Sequence, residues 1–127
     1  MAYQDHFENF LRKQTEKVQN KIYKVIEAIE TLERVPKTYL QPIKTKKGLF
    51  EARIQLGSNI WRVFCFFDEG QLVILLNGFQ KKSQKTPPKE IEKASKLMDQ
   101  YFAEKESVKK KRKERSHEYK KLEKHKR

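Results

Sequence analysis

The feature that most constrains this chain is an eight-residue, almost wholly apolar run, IWRVFCFF, at residues 60–67. Arg62 is its one charged residue. A continuous apolar strand is typical of a central position in a sheet that is covered on both faces. Turn sequences bound the run, with Gly-Ser-Asn at 57–59 and Asp-Glu-Gly at 68–70. The run therefore predicts a middle strand with packed structure on both sides.

Two further strand patterns flank this run. Residues 49–56, LFEARIQL, alternate apolar and polar side chains, with Glu51 and Arg53 on the polar face. Residues 71–79, QLVILLNGF, form the third pattern. Because such short connections join only antiparallel neighbours, residues 49–79 are predicted to form a three-stranded antiparallel meander.

The region before the strands carries a helical pattern. Between residues 7 and 34, apolar side chains recur at alternating spacings of four and three, at Val18, Ile22, Val25, Ile29 and Leu32. Thr15 interrupts the pattern and is suited to cap a new helix. The region is thus either a helical hairpin, whose second helix runs from about 16 to 34, or one long helix. Pro36 ends it, and Pro42 is expected to keep residues 35–48 out of regular structure.

A last helix is predicted after the strands. Thr86 is a suitable N-cap, and Pro87 would occupy the first helical position, where its missing N–H is harmless. Ile91, Ala94 and Tyr101 continue a helical spacing to about residue 104. Helices, then strands, then a helix make an α+β domain.

Charge indicates the kind of partner. The 127 residues include 30 Lys and Arg against 17 Asp and Glu, a formal net charge of +13. Such a charge favours a polyanion, with nucleic acid the first candidate and an anionic membrane surface the second. No apolar stretch is long enough to span a membrane, no secretory pattern opens the sequence, and Cys65 is the single cysteine. These features favour a cytoplasmic protein without a disulfide.

The excess charge is concentrated near the end of the sequence. Residues 105–127 hold 12 Lys and Arg and four acidic residues, a net charge of +8. Their few apolar side chains cannot build a core, so the sequence is divided into a domain at 1–104 and a basic tail at 105–127, extended or loosely helical. The tail is either an RNA-contacting arm or a solvated charge run. It lacks the apolar face that a membrane-binding segment needs.

Several catalytic chemistries have no counterpart in the sequence. The three histidines, His6, His117 and His125, lie near the ends, so no serine or cysteine triad can be assembled around them. No metal-ligand spacing or glycine-rich phosphate loop occurs. Neither a cofactor nor a metal is expected.

A set of bases surrounds the predicted sheet instead. The antiparallel meander brings Arg53, Arg62 and the segment at 81–85 to one end of the sheet. The full set consists of Lys44, Lys46 and Lys47 before the first strand, Arg53 and Arg62 on the strands, and Lys81, Lys82 and Lys85 after the third.

Arg62 is the most informative of these residues. An arginine between Trp61 and Val63 is unfavourable unless its charge is used, which predicts a phosphate ligand. The alternative is a buried ion pair with Glu51. Arg53 is likewise either a phosphate ligand or an ordinary surface arginine. Phe79 either stacks on an RNA base or packs in the core.

Four segments in this order resemble the RelE/HigB-like toxins of type II toxin–antitoxin systems, in particular their phage-related HigB-like branch. They are GLFEAR, WRVFCFFD, VILLNGFQKKSQKTP and a helix that opens IEKA. The resemblance covers roughly residues 7–104. It implies the RelE-like α+β fold, which usually begins with a strand. Here that strand would have to be a short one within residues 1–6.

The resemblance also implies an activity. Proteins of this family are ribosome-dependent mRNA endonucleases in which the ribose 2′-OH attacks the adjacent phosphate. The expected catalytic residues are Arg53, Arg62, Lys81, Lys82 and Lys85, and the expected RNA-binding residues are Lys44, Lys46, Lys47, Phe79 and Gln84. A lysine of this set, or else Glu51, would take the 2′-OH proton.

The resemblance further implies the partners, which are the ribosome, its mRNA and a cognate antitoxin, often of the helix-turn-helix type. The alternative function is a non-catalytic RNA- or ribosome-binding protein on the same fold, with the basic tail as its main contact. Convergence of Arg53, Arg62 and residues 81–85 would favour the nuclease.

Overall fold

An antiparallel sheet lies between two helical layers. The computed structural model describes the backbone of residues 1–80 and 87–125 and the side chains of residues 1–74 and 87–113. Its elements are α1 (His6–Arg12), α2 (Glu16–Thr31), β1 (Leu40–Pro42), β2 (Phe50–Leu56), β3 (Asn59–Asp68), β4 (Gln71–Gln80) and α3 (Pro88–His125). The α+β class and the RelE-like arrangement expected from the sequence are confirmed.

The sheet has the strand order β1-β2-β3-β4, with every neighbouring pair antiparallel. The predicted meander therefore forms, but the expectation that residues 35–48 lack regular structure is wrong. Leu40–Pro42 pairs with Phe50–Ala52 as a fourth strand. Pro42 is compatible with this position because β1 is a short edge strand.

Residues 1–3 extend the sheet at its other edge. Ala2 forms a parallel bridge with Ile74 of β4. The Ile74 amide donates to the Met1 carbonyl at 2.9 Å, and the Tyr3 amide donates to the Ile74 carbonyl at 2.8 Å. A short piece of extended chain thus occupies the place of the N-terminal strand that the resemblance implies.

The helices α1 and α2 cover one face of the sheet. Of the two predicted alternatives, the hairpin forms, because the Thr15 side chain accepts a hydrogen bond from the Val18 amide and caps α2. The helix ends at Thr31, earlier than the predicted residue 34. Its apolar stripe packs on buried side chains of the strands; this core includes Val18, Ile22, Val25, Ile29, Ala52, Ile54, Val63 and Cys65. Burial raises the pKa of the Cys65 thiol to about 12.

The other face is covered by α3. Phe64, Phe66 and Val73 of the sheet pack with Leu49 and with α3 residues from Ile91 to Phe102. Both faces of β3 are therefore buried, as its apolar run predicts. The helix begins at Pro88 rather than Pro87, whose carbonyl accepts from the amides of Glu90 and Ile91. The predicted cap Thr86 lies outside the described residues.

The predicted division at residue 104 does not coincide with a break in secondary structure. Helix α3 continues without interruption to His125. Lys105, assigned to the tail, forms an ion pair with Asp68 at the end of β3. The described side chains at 106–113 are all exposed, and the helix extends about 30 Å from Lys105 to His125. No helix of the described part is long and apolar enough to span a membrane.

Candidate functional site

One end of the sheet brings together residues from three strands, and we call it the arginine end. Arg53 of β2 pairs with Arg62 of β3, and Arg62 in turn pairs with Phe79 of β4. Trp61 pairs with Gln80, the last residue of β4. The chain therefore leaves β4 beside the two arginine positions. The predicted residues Lys81, Lys82, Gln84 and Lys85 come next and lie outside the described residues, as does the side chain of Phe79.

The pairing of β3 with β4 is irregular at this end. The register shifts on both sides of Phe64, between Arg62 and Phe64 and between Phe64 and Cys65. Such bulges increase the local twist and redirect the strand, and they often lie beside functional sites. Here they set which residues of β4 lie beside Arg62.

Arg62 is buried and forms an ion pair. It is 3% exposed, and its Nη1 donates a hydrogen bond to the carboxylate of Glu51, which is 2% exposed. Arg62 Nε has no hydrogen-bond partner among the described residues. Arg62, which the sequence predicts as a phosphate ligand, is thus not exposed in this structure, and its role on phosphate stays a prediction. The alternative, a buried pair with Glu51, is what forms, because the register places Glu51 two residues along β2 from the partner of Arg62.

Burial also bears on the candidate proton acceptors. Glu51 is only 2% exposed and is paired with Arg62, and in this arrangement both features disfavour it as the acceptor of a ribose proton. The lysines after β4 are the other candidates, and they lie outside the described residues. The described side chains contain no group of three or more His, Cys, Asp or Glu that could hold a metal.

Arg53 differs from Arg62 because its side chain is only partly buried. It forms no ion pair with a described residue. Its backbone amide donates to the Tyr39 carbonyl at 2.8 Å, which fixes the turn before β1 against β2. Arg53 also lines a polar cleft of about 300 Å³ together with Lys21, Thr38, Tyr39 and Gln55.

The cleft contains residues that the sequence did not single out. Lys21 lies one helical turn before the buried Val25, which also lines the cleft, so the helical period alone places it at the margin of the buried face of α2. Thr38 and Tyr39 reach the cleft through the turn before β1. That turn was missed because β1 was not predicted.

The three predicted RNA-binding lysines before β2 lie elsewhere. Lys44, Lys46 and Lys47 are in the loop that joins β1 to β2, and Phe50 at the start of β2 pairs with Cys65 near the end of β3. The loop is therefore at the end of the sheet opposite Arg53 and Arg62. Lys46 forms an ion pair with Asp99 of α3 at 2.8 Å. The structure does not bring these lysines to the arginine end.

That opposite end, which we call the aspartate end, is joined to α3. Asp68 accepts hydrogen bonds from Tyr101 Oη at 2.7 Å and from Lys105 Nζ at 2.8 Å. The hydrogen bond from Lys105 is the main reason that the pKa of Asp68 lies below its ordinary value. The same hydrogen bond raises the pKa of Lys105, and the hydrogen bond to Asp68 raises the pKa of Tyr101.

A second cationic surface begins at the aspartate end. Beyond Lys105, α3 presents the exposed run Lys109 to Lys113, five consecutive basic residues. This surface is separated from the arginine end by the length of the sheet, so the two cationic regions are distinct.

Comparison with known proteins identifies the family. No curated protein and no solved structure matches the chain. A family model described as "Phage derived protein Gp49-like (DUF891)" matches residues 9–99. The match spans the second half of α1, all of α2, the strands β1 to β4 and α3 as far as Asp99, which is more than half of the chain. With this extent of match, and with the α+β fold, the chain belongs to the Gp49-like phage-derived protein family, whose members are toxin-like and related to RelE and HigB.

Proposed function

We propose that this protein is the toxin of a type II toxin–antitoxin system and cuts mRNA on the ribosome. The observation that carries the proposal is membership of a toxin-like family over residues 9–99. The arginine end supports it, because a half-buried arginine lies there near the end of β4, and Lys81, Lys82 and Lys85 follow β4 in the sequence. Because the proposed activity requires translating ribosomes, we expect the protein to act in the cytoplasm.

The proposed reaction is a transfer within the RNA strand. A basic side chain removes the proton of a ribose 2′-OH, and the oxygen attacks the adjacent phosphorus. The bond from phosphorus to the 5′-oxygen breaks, and that oxygen takes up a proton. The products are a 2′,3′-cyclic phosphate and a 5′-OH. Cationic side chains can neutralise the charge that develops on the phosphorane, so the reaction needs no metal.

The proposed reaction gives each group of candidate residues its own role. Arg53 is the partly accessible arginine and is proposed to contact the phosphate through its planar fork of donors. Arg62 is proposed to act through Glu51 as a positioning residue that fixes β2 against β3. The 2′-OH proton is assigned to the lysine group at 81, 82 and 85, where neighbouring positive charges favour the neutral amine.

The proposed partner is an antitoxin with an acidic segment. Arg53 and the lysines that follow β4 in the sequence would attract an acidic chain, and charge complementarity both steers association and sets the register of the complex. Such a segment would cover or distort the arginine end and so prevent entry of mRNA. The antitoxin is expected to be of the helix-turn-helix type.

One observation favours a second function, a non-catalytic RNA- or ribosome-binding protein. Helix α3 extends past the sheet with five consecutive exposed basic residues, and this surface is separate from the arginine end. A basic helix of this kind binds RNA phosphates without cutting them. On this alternative the tail is the main contact, and the arginine end has no catalytic role.

The nuclease and the non-catalytic alternative are distinguished by recovering translated mRNA after induction of the protein and mapping its ends. The nuclease predicts growth arrest and new mRNA ends that carry 5′-OH, and both should disappear when Arg53 is replaced by alanine in a protein that still folds. Intact mRNA under growth arrest would favour the non-catalytic alternative. New ends with 5′-phosphate would contradict the 2′-OH mechanism.

A further inference from the structure

The polar cleft beside β2 has the features of a phosphate-binding site, and we call it the β2-edge cleft. Its polar lining comes from three separate segments, with Lys21 on α2, Thr38 and Tyr39 on the turn before β1, and Arg53 and Gln55 on β2. Lys21 contributes a cationic side chain from α2, Arg53 and Gln55 line the cleft from the edge of β2, and no acidic residue lines it. Its volume of about 300 Å³ is at the small end of the range for ligand sites in proteins.

The edge of β2 contributes a backbone donor to this cleft. The Arg53 amide points away from β3 and donates a hydrogen bond to the Tyr39 carbonyl. Amides two residues apart on a strand point to the same side, so the Gln55 amide has the same direction. Strand β1 pairs with β2 only as far as Ala52, and the described residues place no strand beside Gln55. An anion in the cleft would meet this N–H in addition to Lys21.

The cleft is held in shape before any ligand arrives. Val25 and Tyr39 belong to the core that packs α2 on the sheet. The Tyr39 and Leu40 amides both donate to the Pro36 carbonyl, at 2.9 and 3.2 Å, so the turn that carries Thr38 is fixed at both ends. Neither Lys21 nor Arg53 forms an ion pair with any residue that the structure describes. A lysine without an acidic partner, beside an open strand edge in a fixed turn, forms a preorganised site for an anion.

We propose that the β2-edge cleft binds a backbone phosphate of single-stranded RNA, one position along the strand from the phosphate that is cut. The inference deepens the proposed function and rests on it. Arg53 belongs both to the cleft and to the arginine end, so a strand that crosses the end of β2 meets both. The half-buried ring of Tyr39 provides a surface on which the adjoining base stacks.

The test is a titration of the ¹⁵N-labelled full-length protein with a six-nucleotide all-2′-deoxy oligonucleotide, which lacks the attacking hydroxyl. The proposal predicts saturable shifts at the amides of Thr38, Tyr39 and Gln55. Lys21→Gln should weaken binding about tenfold, as expected for loss of a hydrogen bond between charged groups. It should also lower the slope of log affinity against log salt by about 0.7, the value for one phosphate contact to a single strand.

Lys24→Gln is the matched control. Lys24 is an exposed lysine on the same helix, it does not line the cleft, and its replacement changes the net charge equally. Affinity for the oligonucleotide should change less than twofold. Equal losses for the two variants would show that a diffuse field, rather than the cleft, attracts the strand, and would overturn the inference.

Two other outcomes are decisive. Shifts confined to α3 beyond Lys105 would also overturn the inference. An Asp/Glu-rich hexapeptide that saturates the cleft where the oligonucleotide does not would assign it to a protein partner instead. The proposed function is tested apart from this, because cleavage is measured on translated mRNA. A protein that binds the oligonucleotide in the cleft but never cuts mRNA would contradict the proposed nuclease function. It would still support the proposal that the cleft binds phosphate.

Discussion

Arg62 and Glu51 form a buried ion pair that crosses from β3 to β2, with each side chain at most 4% exposed. In the register Glu51 lies opposite Phe64 and Arg62 lies opposite Arg53, so the pair is diagonal across the ladder. It neutralises one of the two adjacent arginines. The positive charge of this trio therefore resides on Arg53, the member with access to solvent.

The first prediction is that Arg62→Ala destabilises the protein. Removing one partner leaves the Glu51 carboxylate buried without its counter-charge, which costs roughly 3–5 kcal/mol. Urea unfolding should show that loss in the free energy of unfolding. The paired replacement Glu51→Leu with Arg62→Met removes both charges at similar volume and should restore most of it. An Arg62→Ala protein of normal stability that fails to cut mRNA would instead support a direct role on phosphate.

The second prediction is that Arg53→Ala reduces cleavage without unfolding the protein. Loss of one preorganised donor to a developing charge typically lowers the rate about 10²–10³-fold. Arg53→Lys should recover only part of this activity, because an ammonium group lacks the bidentate geometry of the guanidinium. Cleavage of translated mRNA measures the effect, and the exposed Arg12→Ala serves as the charge-matched control. An unchanged rate for Arg53→Ala would remove this residue from the reaction.

The predictable part of the fold is the part in which local pattern and packing agree. The apolar run of β3 required cover on both faces, and α2 and α3 provide it. The N-cap at Thr15 could also be predicted from the sequence, because it depends on only one side chain and one backbone amide. Strand β1 was missed because three residues that end in Pro42 carry no strand pattern, and only pairing with β2 makes them a strand.

The long helix shows a different limit of sequence-based prediction. Residues after 104 include only three sizeable apolar side chains, Val108, Tyr119 and Leu122, so no buried face is visible in the sequence. Lys, Glu and Arg nevertheless have high helix propensity, and Lys105 ties the start of this stretch to Asp68. The helix therefore continues from a segment that is already folded.

The candidate site was harder to predict than the fold. The meander correctly places Arg53 and Arg62 side by side, but the sequence could not decide whether Arg62 faces solvent or Glu51. That choice depends on what covers β3. The loop before the first predicted strand contains Lys44, Lys46 and Lys47, whereas Arg53 lies towards the other end of that strand. The sequence order alone therefore implies that these lysines are remote from Arg53. The β2-edge cleft depends on three segments that meet only in the folded protein.

The third prediction concerns pH and Asp68. The hydrogen bond from Lys105 lowers the pKa of Asp68 in the folded protein below its ordinary value of 3.8. This pair therefore stabilises the fold above that value, and the contribution is lost as the pH falls through the lower folded-state pKa. The pKa of Lys105 is raised above 10.5, so its contribution is lost as the pH rises through the higher folded-state pKa.

Thermal unfolding of Asp68→Asn against the unchanged protein measures this contribution. The difference in melting temperature should be constant from about pH 5 to about pH 9 and should shrink towards both extremes. Asp99→Asn is the control, because that carboxylate is 65% exposed and its pair with Lys46 contributes little. A difference that stays the same down to pH 2 would show that Asp68 stabilises the protein by packing rather than by charge.

The last prediction concerns α3 beyond the sheet. Residues 109–127 hold 11 Lys and Arg and three acidic residues, a net charge of +8. A chain that ends at Val108 keeps the Lys105–Asp68 pair and should unfold at the same temperature as the full chain. A chain that ends at Glu104 loses the pair and should unfold at a lower temperature. A lower unfolding temperature for the chain that ends at Glu104 would place the end of the folded domain at Lys105. Equal unfolding temperatures for the two chains would place it one helical turn earlier.

Both shortened chains should bind ribosomes more weakly, and their affinity should depend less steeply on salt. Each phosphate that a basic side chain neutralises releases counterions, so losing these lysines lowers the slope of log affinity against log salt. At low salt both chains should still cut mRNA, because the arginine end is intact in each. If affinity and slope are unchanged in the chain that ends at Val108, the basic helix is a solvated charge run without a role in binding. If cutting is lost at every salt concentration, the helix positions the protein on the ribosome as well as adding affinity.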